Sequence, residues 1–321
     1  MKHRYRIVVV GGGVTGLMAA ALLARDDQGD QLDITVLDAA SRPLFSPDDG
    51  VNLRVSAIST GSAALFASVG AWDHVVESRL SAYERMCVWD EDDTPDGPSA
   101  LSFDAAEFAV PQLGFIVENV LLQEALLQQL GTMSVDLRFG TPLRALRNTG
   151  SHYELQLEAG DALHADLVIG ADGARSFIRS AAGIDASELP YRQTAFVTHL
   201  EPDEPHRSTA WQRFLREGPL GILPLHDGRV SVVWSTTPEQ AQAALDAEEA
   251  ETGRMLSAAS DYVLGDLAMA GPRGMFPLCA RHARNYVLPN LALIGDAAHA
   301  IHPLAGQGAN LGLHDAAELA R

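Results

Sequence analysis

Cysteine and long hydrophobic segments are scarce in this chain of 321 residues. The two cysteines, Cys87 and Cys279, are far apart and belong to no Cys-x-x-Cys pair, so the sequence shows no zinc or dithiol motif. So few cysteines are typical of a protein from a reducing compartment. No segment supplies the roughly 18 uninterrupted apolar residues that a membrane-spanning helix needs. We therefore expect a soluble, cytoplasmic protein that binds no metal.

Basic residues are also few. The chain has 23 Lys and Arg against 42 Asp and Glu, a net charge of −19. A field of this sign repels an anionic duplex, so nucleic acid is not expected as a partner. Hydrophobic residues make up 47% of the sequence, which is enough for a sizeable core. The length suggests about two domains if a domain has roughly 150 residues.

The amino-terminal segment admits two interpretations. Basic residues at 2–6 precede an apolar stretch from Ile7 to Ala24, as they do in a secretory signal. Three consecutive glycines at 11–13 interrupt that stretch, however. The pattern instead predicts a buried strand, a glycine turn and a helix, and the β-branched run Asp33–Leu37 completes a β-α-β unit.

The glycine turn matches the pattern G-x-G-x-x-G. Its glycines permit a tight bend, let the backbone approach a pyrophosphate and direct a helix N-terminus at the anion. Asp38 follows about 20 residues later, where an acidic side chain accepts hydrogen bonds from a ribose diol. FAD or NAD is therefore expected here rather than NADP, although an ordinary strand–turn–helix would have the same letters. The predicted contacts are Gly11, Gly13, Val14, Thr15, Gly16 and Asp38.

Two distant segments favour FAD over NAD. One is the apolar run that ends in Asp172-Gly173, and the other extends from Leu291 through Gly295-Asp296 to Gly312. A helix N-terminus with glycine-exposed N–H groups can stabilise the negative charge of a reduced flavin. If all three segments serve one cofactor, the nucleotide domain is discontinuous in sequence.

Elsewhere the sequence pattern predicts ordinary elements. Helical spacing predicts helices over 60–80, 119–130 and 238–259, and β-type runs predict a meander over 135–169. The acidic stretch 89–100 is rich in turn-forming residues and is expected to be an exposed loop.

These motifs, with 53–59 and 114–119, resemble the single-component aromatic-ring flavoprotein monooxygenases, known as group A. Within that group the run 301–308 resembles the hydroxylases of ubiquinone biosynthesis. Residues 103–107 and 211–214 resemble the members that act on 2-polyprenyl-3-methyl-6-methoxy-1,4-benzoquinol. The resemblance covers the whole chain. It implies an α/β fold like that of para-hydroxybenzoate hydroxylase, in which a β-sheet-rich substrate domain is inserted into a Rossmann-like FAD-binding domain.

The resemblance also implies domain boundaries. The FAD-binding domain is expected to comprise 1–78, 112–183 and 284–321, and the substrate domain 79–111 and 184–283. Members of the family continue with further helices, so we expect these C-terminal helices to be absent after Arg321. That expectation leaves open whether this chain is active or is a non-catalytic FAD-binding fragment.

Further cofactor contacts are carried over from the resemblance. Asp296 is expected at the ribityl or pyrophosphate region of FAD, and the backbone of 303–310 beside the pyrimidine end of the flavin. Arg54 is expected to approach the flavin. The set is Arg54, Asn119, Gln123, Asp172, Gly173, Gly295, Asp296, Pro303, Gly306, Gln307, Gly308, Ala309 and Asn310. The alternative is that the acidic and amide side chains cap helices and that Arg54 is a surface ion-pair residue.

The implied activity is hydroxylation of the ring of a polyprenyl phenol or benzoquinol. NAD(P)H would reduce FAD, O2 would add at the flavin C4a to give a hydroperoxide, and the electron-rich ring would attack the distal oxygen. The protein's task is to exclude water and position the ring. His302 is a candidate acid–base residue, with anchoring of the turn as the alternative. Candidate pocket-wall residues are Trp211, Phe214, Leu223 and Trp234, which could instead be core residues.

The resemblance suggests three further contacts: a ubiquinone-biosynthesis complex, the surface of the inner membrane, and a second copy of the chain. Two alternatives share the scaffold or the cofactor. One is a flavin halogenase or prenyl reductase, and the other is a flavin-binding assembly subunit. A halogenase is expected to carry a Trp-x-Trp pair, and the tryptophans at 72, 89, 211 and 234 form none.

Overall fold

A computed structural model describes residues 4–27, 31–302 and 304–321. The strands are β1 (Tyr5–Val10), β2 (Leu32–Leu37), β3 (Val55–Ser59), β4 (Ser81–Tyr83), β5 (Arg85–Asp90), β6 (Leu101–Asp104), β7 (Gly114–Glu118), β8 (Val135–Arg138), β9 (Leu143–Asn148), β10 (Tyr153–Leu157), β11 (Ala162–Ala165), β12 (Leu167–Gly170), β13 (Ala186–Pro202), β14 (Thr209–Leu215), β15 (Gly218–Pro224), β16 (Val230–Thr236), β17 (Leu267–Met269), β18 (Gly274–Ala283), β19 (Val287–Leu288), β20 (Leu291–Leu293) and β21 (His299–Ala300). The helices are α1 (Val14–Asp26), α2 (Thr60–Ser68), α3 (Trp72–Ser78), α4 (Asn119–Leu130), α5 (Phe177–Ala181), α6 (Pro238–Asp246), α7 (Glu249–Ala259) and α8 (Gln307–Leu319). Short 3-10 turns occur at Ala105–Phe108, Gly295–Ala297 and Leu304–Gly306.

One sheet gathers strands from both ends of the chain. Its order is β19-β20-β12-β1-β2-β8, and all neighbours except the β19–β20 pair run parallel. The strands are short and β-branched because they are covered on both faces, which is usual for parallel sheets. Helices α1, α4 and α8 share a core cluster with one face of the sheet, whereas strands β9 to β11 share a second cluster with the other face.

The predicted meander over 135–169 is wrong as a single unit. β8 and β12 belong to the parallel sheet, and only β9, β10 and β11 form an antiparallel three-stranded sheet. All five strands alternate or run apolar in similar ways, so hydrophobic periodicity alone could not separate the two pairings.

The second large sheet is built mainly from the middle of the chain. Its order is β21-β18-β13-β16-β15-β14-β5-β6, and β17 pairs with β13. Helices α6 and α7 cover one face, where Phe196, Ile222 and Val232 are buried in a common cluster. The opposite face turns towards β3 and β7, where Leu223 packs with Ala57.

Two predicted helical segments are each divided. The segment 60–80 forms α2 and α3, which are separated at Gly70 with φ of +79°. The segment 238–259 forms α6 and α7 because Ala247 adopts extended backbone with ψ of 156°. The helix over 119–130 is confirmed as α4, and the acidic loop connects β5 to β6.

Among the described residues, no helix combines the length and the apolar composition needed to cross a membrane.

Candidate cofactor and substrate site

The first part of the site is the glycine turn between β1 and α1. Gly11 has φ of +117°, which L-residues rarely adopt. A Cβ on Gly11 would lie 2.2 Å from the carbonyl oxygen of Ala171, and one on Gly16 would lie 2.0 Å from the carbonyl oxygen of Gly11. These two glycines therefore allow strand, turn and helix to touch.

Gly13 has a different role in the same turn. It is the N-cap of α1, no side chain of the described residues caps the helix there, and a Cβ on Gly13 would meet no atom within 4 Å. The first-turn amides of Val14 and Thr15 therefore point into open space. Free N–H groups at a helix N-terminus form a site for an anion such as a pyrophosphate.

Asp38 lies at the end of β2 and holds the turn in shape. Its Oδ2 accepts a hydrogen bond from the backbone N–H of Gly12 at 2.6 Å, and its Oδ1 accepts one from that of Ala40 at 2.7 Å. On the other side, Gln123 Nε2 donates to the carbonyl oxygen of Gly12 at 3.0 Å. The carboxylate thus stands beside the open mouth of the turn, where a ribose would follow a bound pyrophosphate.

The side chain of Thr15 joins two of the predicted segments, the glycine turn and the segment 291–312. A Cβ on Gly312 would lie 2.6 Å from Thr15 Oγ1, and a Cβ on Gly295 would lie 3.1 Å from Thr15 Cγ2. Thr15 therefore contributes its backbone amide to the open helix end, while its side chain packs between the turn at Gly295 and helix α8.

Asp172 supports the N-terminus of helix α5, whose N-cap residue is Ser176. Its Oδ1 accepts a hydrogen bond from Ser176 Oγ at 2.5 Å and its Oδ2 accepts one from the backbone N–H of Ile178 at 3.0 Å. Both oxygens are thus engaged within the segment. The neighbouring Gly173 has φ of +76° and open space where a Cβ would be.

Sequence reasoning missed Arg179, which connects two of the predicted segments. Its side chain is buried, and Nη1 donates to the carbonyl oxygen of Ala297 at 2.8 Å while Nη2 donates to that of Ala174 at 2.9 Å. Burial lowers the pKa of Arg179, and the nearby charge of Arg281 adds to that shift. An arginine in a short apolar helix was the available signal, since an isolated basic residue there needs buried acceptors.

Asp296 and Arg54 lie close enough for their charges to interact. The carboxylate of Asp296 makes no hydrogen bond with any residue that the structure describes, and its side chain is open to solvent at the cleft surface. Desolvation by the surrounding protein raises the pKa of Asp296, while the charge of Arg54 opposes that rise. The Arg54 guanidinium lies 5.9 Å from the ring centroid of Phe276, a residue that no sequence motif identifies.

The amino-terminal end of α8 forms a second open helix end. Gly306 is its N-cap with φ of +64°, and a Cβ there would lie 3.0 Å from the Cβ of Ala57. Gly308 has open space where a Cβ would be, and Gln307 is exposed beside it. Pro303 lies outside the described residues.

Asn310 and Asn119 hold the segments that surround this end. Asn310 is buried; its Oδ1 accepts from the backbone N–H of Ser59 at 3.0 Å and its Nδ2 donates to the carbonyl oxygen of Ala57 at 2.8 Å. Asn119 Oδ1 accepts from Ser56 Oγ at 2.6 Å. Ala309, between these elements, packs against the core cluster. The predicted amides therefore tie β3 to α8 and α4, which fixes the position of the second open end.

The expected pocket wall needs correction. Trp211 is paired with Ile222 and Trp234 with Leu220, and all four belong to the cluster under α6 and α7. Because side chains alternate along a strand, these tryptophans lie on the face turned away from β3. Alternation along the strands predicts which of these residues share a face of the sheet. Which of the two faces meets the cofactor segments depends on the tertiary fold.

Leu223 and Phe214 lie on the other face of this sheet. Leu223 packs with Ala57 and Ile116, and strand β15 runs close to Leu304–Gly306. Phe214, by contrast, is paired with Pro219 near the hairpin and is exposed. Of the four predicted wall residues, Leu223 therefore lies nearest to the cofactor segments.

The sheet face that contains Leu223 and Phe214 has a depression at Gly221, between these two residues. A Cβ on Gly221 would meet only the carbonyl oxygen of Val233, at 3.8 Å. Gln212 is its register partner on β14 and is 8% exposed, yet its amide makes no hydrogen bond with another described residue. The side chain is mostly buried, but its amide atoms are not among the fully buried unpaired ones, so they are available to hydrogen-bond a ligand that enters the depression.

His302 contacts the bulge of β13. Gln193 Nε2 donates to the carbonyl oxygen of Glu217 at 2.5 Å, which directs Gln193 Oε1 to His302 Nε2 at 3.0 Å. His302 Nε2 therefore carries the hydrogen, and Nδ1 is left as a buried acceptor with no partner among the described residues. Burial lowers the pKa of His302, so the ring is neutral near pH 7.

These residues fit a dinucleotide with an anionic centre and a planar ring. Two uncapped helix ends, those of α1 and α8, supply free N–H groups, and the glycines leave space where side chains would intrude. Asp38 lies beside the end of α1, and Arg54 places a positive charge near Asp296. In the described part of the chain no cluster of three or more His, Cys, Asp or Glu residues could hold a metal ion.

Comparison with known proteins decides which dinucleotide this is. The family described as FAD binding domain matches residues 4–321. The ubiquinone biosynthesis monooxygenase COQ6 of Xenopus tropicalis mitochondria is 37% identical over 98% of this chain and 76% of its own length. The 3-demethoxyubiquinol 3-hydroxylase of Escherichia coli K12 is 38% identical over 96% of this chain and 77% of its own length.

This chain belongs to the FAD-dependent hydroxylases of ubiquinone biosynthesis. The expected cofactor is therefore confirmed: members of this family bind FAD, use NAD(P)H as co-substrate and are aromatic-ring monooxygenases acting on quinols with O2.

Solved structures confirm the fold of this hydroxylase as that of the group A flavoprotein monooxygenases. The probable FAD-dependent monooxygenase PqsL of Pseudomonas aeruginosa has a TM-score of 0.79 at 22% identity, covering 99% of this chain and 85% of its own. The p-nitrophenol 4-monooxygenase PnpA of Pseudomonas putida has a TM-score of 0.75 at 22% identity, covering 100% and 79%. The flavin-dependent halogenase CmlS reaches 0.80 at 18% identity, covering 100% and 58%. Proteins with this fold catalyse different reactions, so the reaction has to be inferred from the residues of the site.

Proposed function

We propose that this chain hydroxylates the ring of a polyprenyl benzoquinol or phenol in ubiquinone biosynthesis. The observation that carries the proposal is the depression at Gly221, which has one unpaired amide, Gln212, and lies on the sheet face that approaches Leu304–Gly306. Relatives named as ubiquinone-biosynthesis monooxygenases and as a 3-demethoxyubiquinol 3-hydroxylase support this substrate class.

The residues divide the work of binding FAD and the ring. The amides of Val14 and Thr15 would hold the pyrophosphate, Asp38 a ribose, and the uncapped end of α8 the electron-rich edge of the flavin ring. When bound, FAD accepts a hydride from NAD(P)H and activates O2 for transfer of one oxygen atom. Arg54 supplies positive charge at the cleft.

The chain's own contribution to ring chemistry is to orient the ring and to accept a proton. An aromatic ring over Gly221 would place a ring oxygen within reach of the Gln212 amide, which would orient it. We retain His302 as the candidate base because its Nδ1 is a neutral acceptor and its Nε2 is fixed by Gln193. Unchanged turnover in His302→Ala would remove it from the chemistry.

We also propose that the domain boundaries given above apply, and that the chain acts in the cytoplasm at the surface of the inner membrane. A substrate with a polyprenyl tail partitions into bilayers, which supports peripheral contact. Association with other ubiquinone-biosynthesis proteins or with a second copy belongs to the same proposal.

The test is coupled turnover by the purified protein loaded with FAD. We expect NAD(P)H oxidation and O2 uptake to be stimulated by a prenylated demethoxyquinol, with a product heavier by one oxygen atom. Bound FAD with no substrate-stimulated O2 uptake would instead identify a non-catalytic flavoprotein. Quinone profiling of a deletion strain assigns the ring position, since the accumulated precursor lacks the oxygen that this enzyme adds.

A further inference from the structure

A groove lined by five apolar side chains opens beside the substrate sheet. Its lining residues are Tyr83, Met86, Phe103, Phe108 and Leu113, and its volume is about 400 Å³. Phe103 is 40% exposed and Phe108 is 57% exposed. Large exposed aromatic side chains that line one concavity are typical of a binding surface.

The apolar groove lies on the same sheet face as the depression at Gly221. Trp211 is paired with Ile222 on one side and Cys87 on the other, so these three residues share the face that contains the α6 and α7 cluster. Met86 directly precedes Cys87 and Leu223 directly follows Ile222, so both lie on the opposite face of the sheet.

Strand pairing carries this face outward to the edge of the sheet. Met86 is paired with Phe103 across β5 and β6, and β6 is the outermost strand. With strands about 4.8 Å apart, three steps lead from Leu223 on β15 to Phe103 on β6, a span of roughly 14 Å. One continuous apolar surface thus runs from beside the depression to the sheet edge.

Side-chain packing joins the two ends directly. Tyr83, in the groove, and Leu223, beside the depression, both pack against one cluster that includes Ala57 and Leu225. Ala57 in turn lies where a Cβ on Gly306 would be 3.0 Å away. The inner wall of the groove therefore ends at the segment that approaches the flavin site.

The occupant that fits is a hydrocarbon chain attached to a ring. All five lining residues are apolar or aromatic, so the groove offers little to a charged ligand. The exposed Glu84 and Glu107 lie beside groove residues, whereas Asp104, next to Phe103, is paired with Arg85 at 3.8 Å. The remaining charge around the groove is negative, which disfavours an anionic bilayer at this surface.

We propose that the apolar groove binds the isoprenoid tail of the quinol while the ring lies over Gly221. This inference rests on the proposed function. The tail lies across strands β14, β5 and β6, and the first isoprene units pass Leu223 and Tyr83. Burial of each five-carbon unit strengthens binding by about tenfold or more.

The test measures binding as a function of tail length. Calorimetry on the FAD-loaded protein gives the Kd of ring-matched benzoquinones with zero, one and two isoprene units. The variant is Phe103→Glu, which places a charge in the groove at an already exposed position. The matched control is Val287→Glu, because Val287 is 68% exposed on β19 of the other large sheet.

We expect Kd to fall about tenfold per isoprene unit in the wild-type protein and in Val287→Glu. In Phe103→Glu the dependence on tail length should disappear, while the Kd of the tail-less quinone stays the same. Retention of the tail-length dependence in Phe103→Glu would overturn the proposal.

Other occupants predict different results. If the groove is a bilayer contact, Phe103→Glu reduces binding to phosphatidylcholine–phosphatidylglycerol vesicles and leaves the tail-length dependence intact. If it contacts a second copy, the variant changes the sedimentation coefficient and again leaves that dependence intact. Either result refutes the tail site. Tail-dependent binding without hydroxylation of any quinol would refute the proposed function and leave the tail site standing.

Discussion

His299 Nε2 lies 2.6 Å from Asp315 Oδ2. The same carboxylate oxygen accepts a hydrogen bond from the backbone N–H of Gly295 at 2.8 Å. One side chain of α8 thus holds both the imidazole and the turn that presents Asp296. The hydrogen bond to Asp315 raises the pKa of His299, with burial opposing it.

This arrangement predicts a pH-dependent contribution to stability. The pKa of His299 is higher in the folded than in the unfolded chain, where it is about 6.5. The contribution is therefore fully present below about pH 6.5 and is lost as pH rises through the folded value. We expect the Tm difference between wild type and His299→Gln to narrow between pH 6 and pH 9. A constant difference across that range would contradict the assignment.

Gly13 and Gly16 provide a matched pair for the cofactor cradle. Gly13→Ala places a methyl group in open space at the helix end, so the protein should fold normally and bind FAD at least about tenfold more weakly. Gly16→Ala places one 2.0 Å from Gly11 O and should impair folding itself. Apoprotein Tm and FAD titration separate the two effects. Equal FAD affinity in Gly13→Ala and wild type would argue against a pyrophosphate at this turn.

Arg79 and Glu118 form an ion pair with side chains 10% and 4% exposed. Arg79 also donates to the carbonyl oxygens of Pro47 and Asp49, which holds the loop that leads to Arg54. Arg79→Met leaves the Glu118 carboxylate buried without its partner, and should lower the free energy of unfolding by roughly 3–5 kcal/mol. Urea titration measures this change.

The double variant Arg79→Met/Glu118→Met is the control for that loss. Removing both charges should cost less than removing Arg79 alone, because no uncompensated charge then remains buried. If the double variant is the less stable of the two, the stabilising effect does not come from charge compensation.

Gln212 is predicted to act on substrate and not on stability. Its amide has no partner among the described residues, so Gln212→Leu should leave Tm and FAD affinity unchanged. The value of kcat/KM for a prenylated quinol should fall about tenfold, equivalent to about 1.4 kcal/mol. Gln242→Leu, at an exposed helical position, serves as the control. Identical kcat/KM in the two variants would exclude a substrate contact.

His199 should respond to pH in the opposite sense to His299. It is fully buried on β13, where its ring interacts weakly with the backbone of Leu53 and makes no hydrogen bond of good geometry with the described residues. Burial lowers its pKa, and the charge of Arg229 adds to the effect. Above about pH 6.5 protonation of His199 does not lower the free energy of unfolding. Below that pH the free energy of unfolding falls, because the unfolded chain binds the proton more readily than the folded one.

The variant His199→Leu tests this. It should be more stable than wild type by about 1 kcal/mol near pH 7, since a buried ring with poorly satisfied nitrogens is removed. The advantage should grow towards pH 5. An advantage that shrinks on acidification would show that His199 gains a partner when protonated.

Much of the nucleotide half was predictable because its signals are local. The glycine turn, the β-branched strands and the helix over 119–130 each depend on neighbours in sequence, and the structure places them as expected. The sequence also predicts a discontinuous nucleotide domain if the segments at Gly11, Asp172 and Gly295 serve one cofactor, and in the structure their strands are neighbours in one sheet.

The substrate half was less predictable for a physical reason. Alternation along β14 and β16 shows that Trp211 and Gln212 face opposite ways, but it does not show which face meets the cofactor. That choice is made by α6 and α7, which cover one side. The predicted pocket wall consists mainly of large aromatic residues, whereas the proposed ring site is at Gly221, a residue without a side chain. Arg179 was missed because its acceptors are backbone carbonyls that no sequence pattern identifies.

The neighbouring positions of β1, β12 and β20 in one sheet have a consequence for synthesis. A ribosome adds residues from the amino terminus, at about 5–20 residues per second. The turn at Gly11 is therefore finished early, yet Thr15 can pack against Gly312 only after some 300 further residues have emerged, a delay of at least about 15 seconds. The complete cradle cannot close around FAD during that time. Cofactor loading in this protein must wait for the segment around Gly312, and the nascent chain must remain intact without its ligand until then.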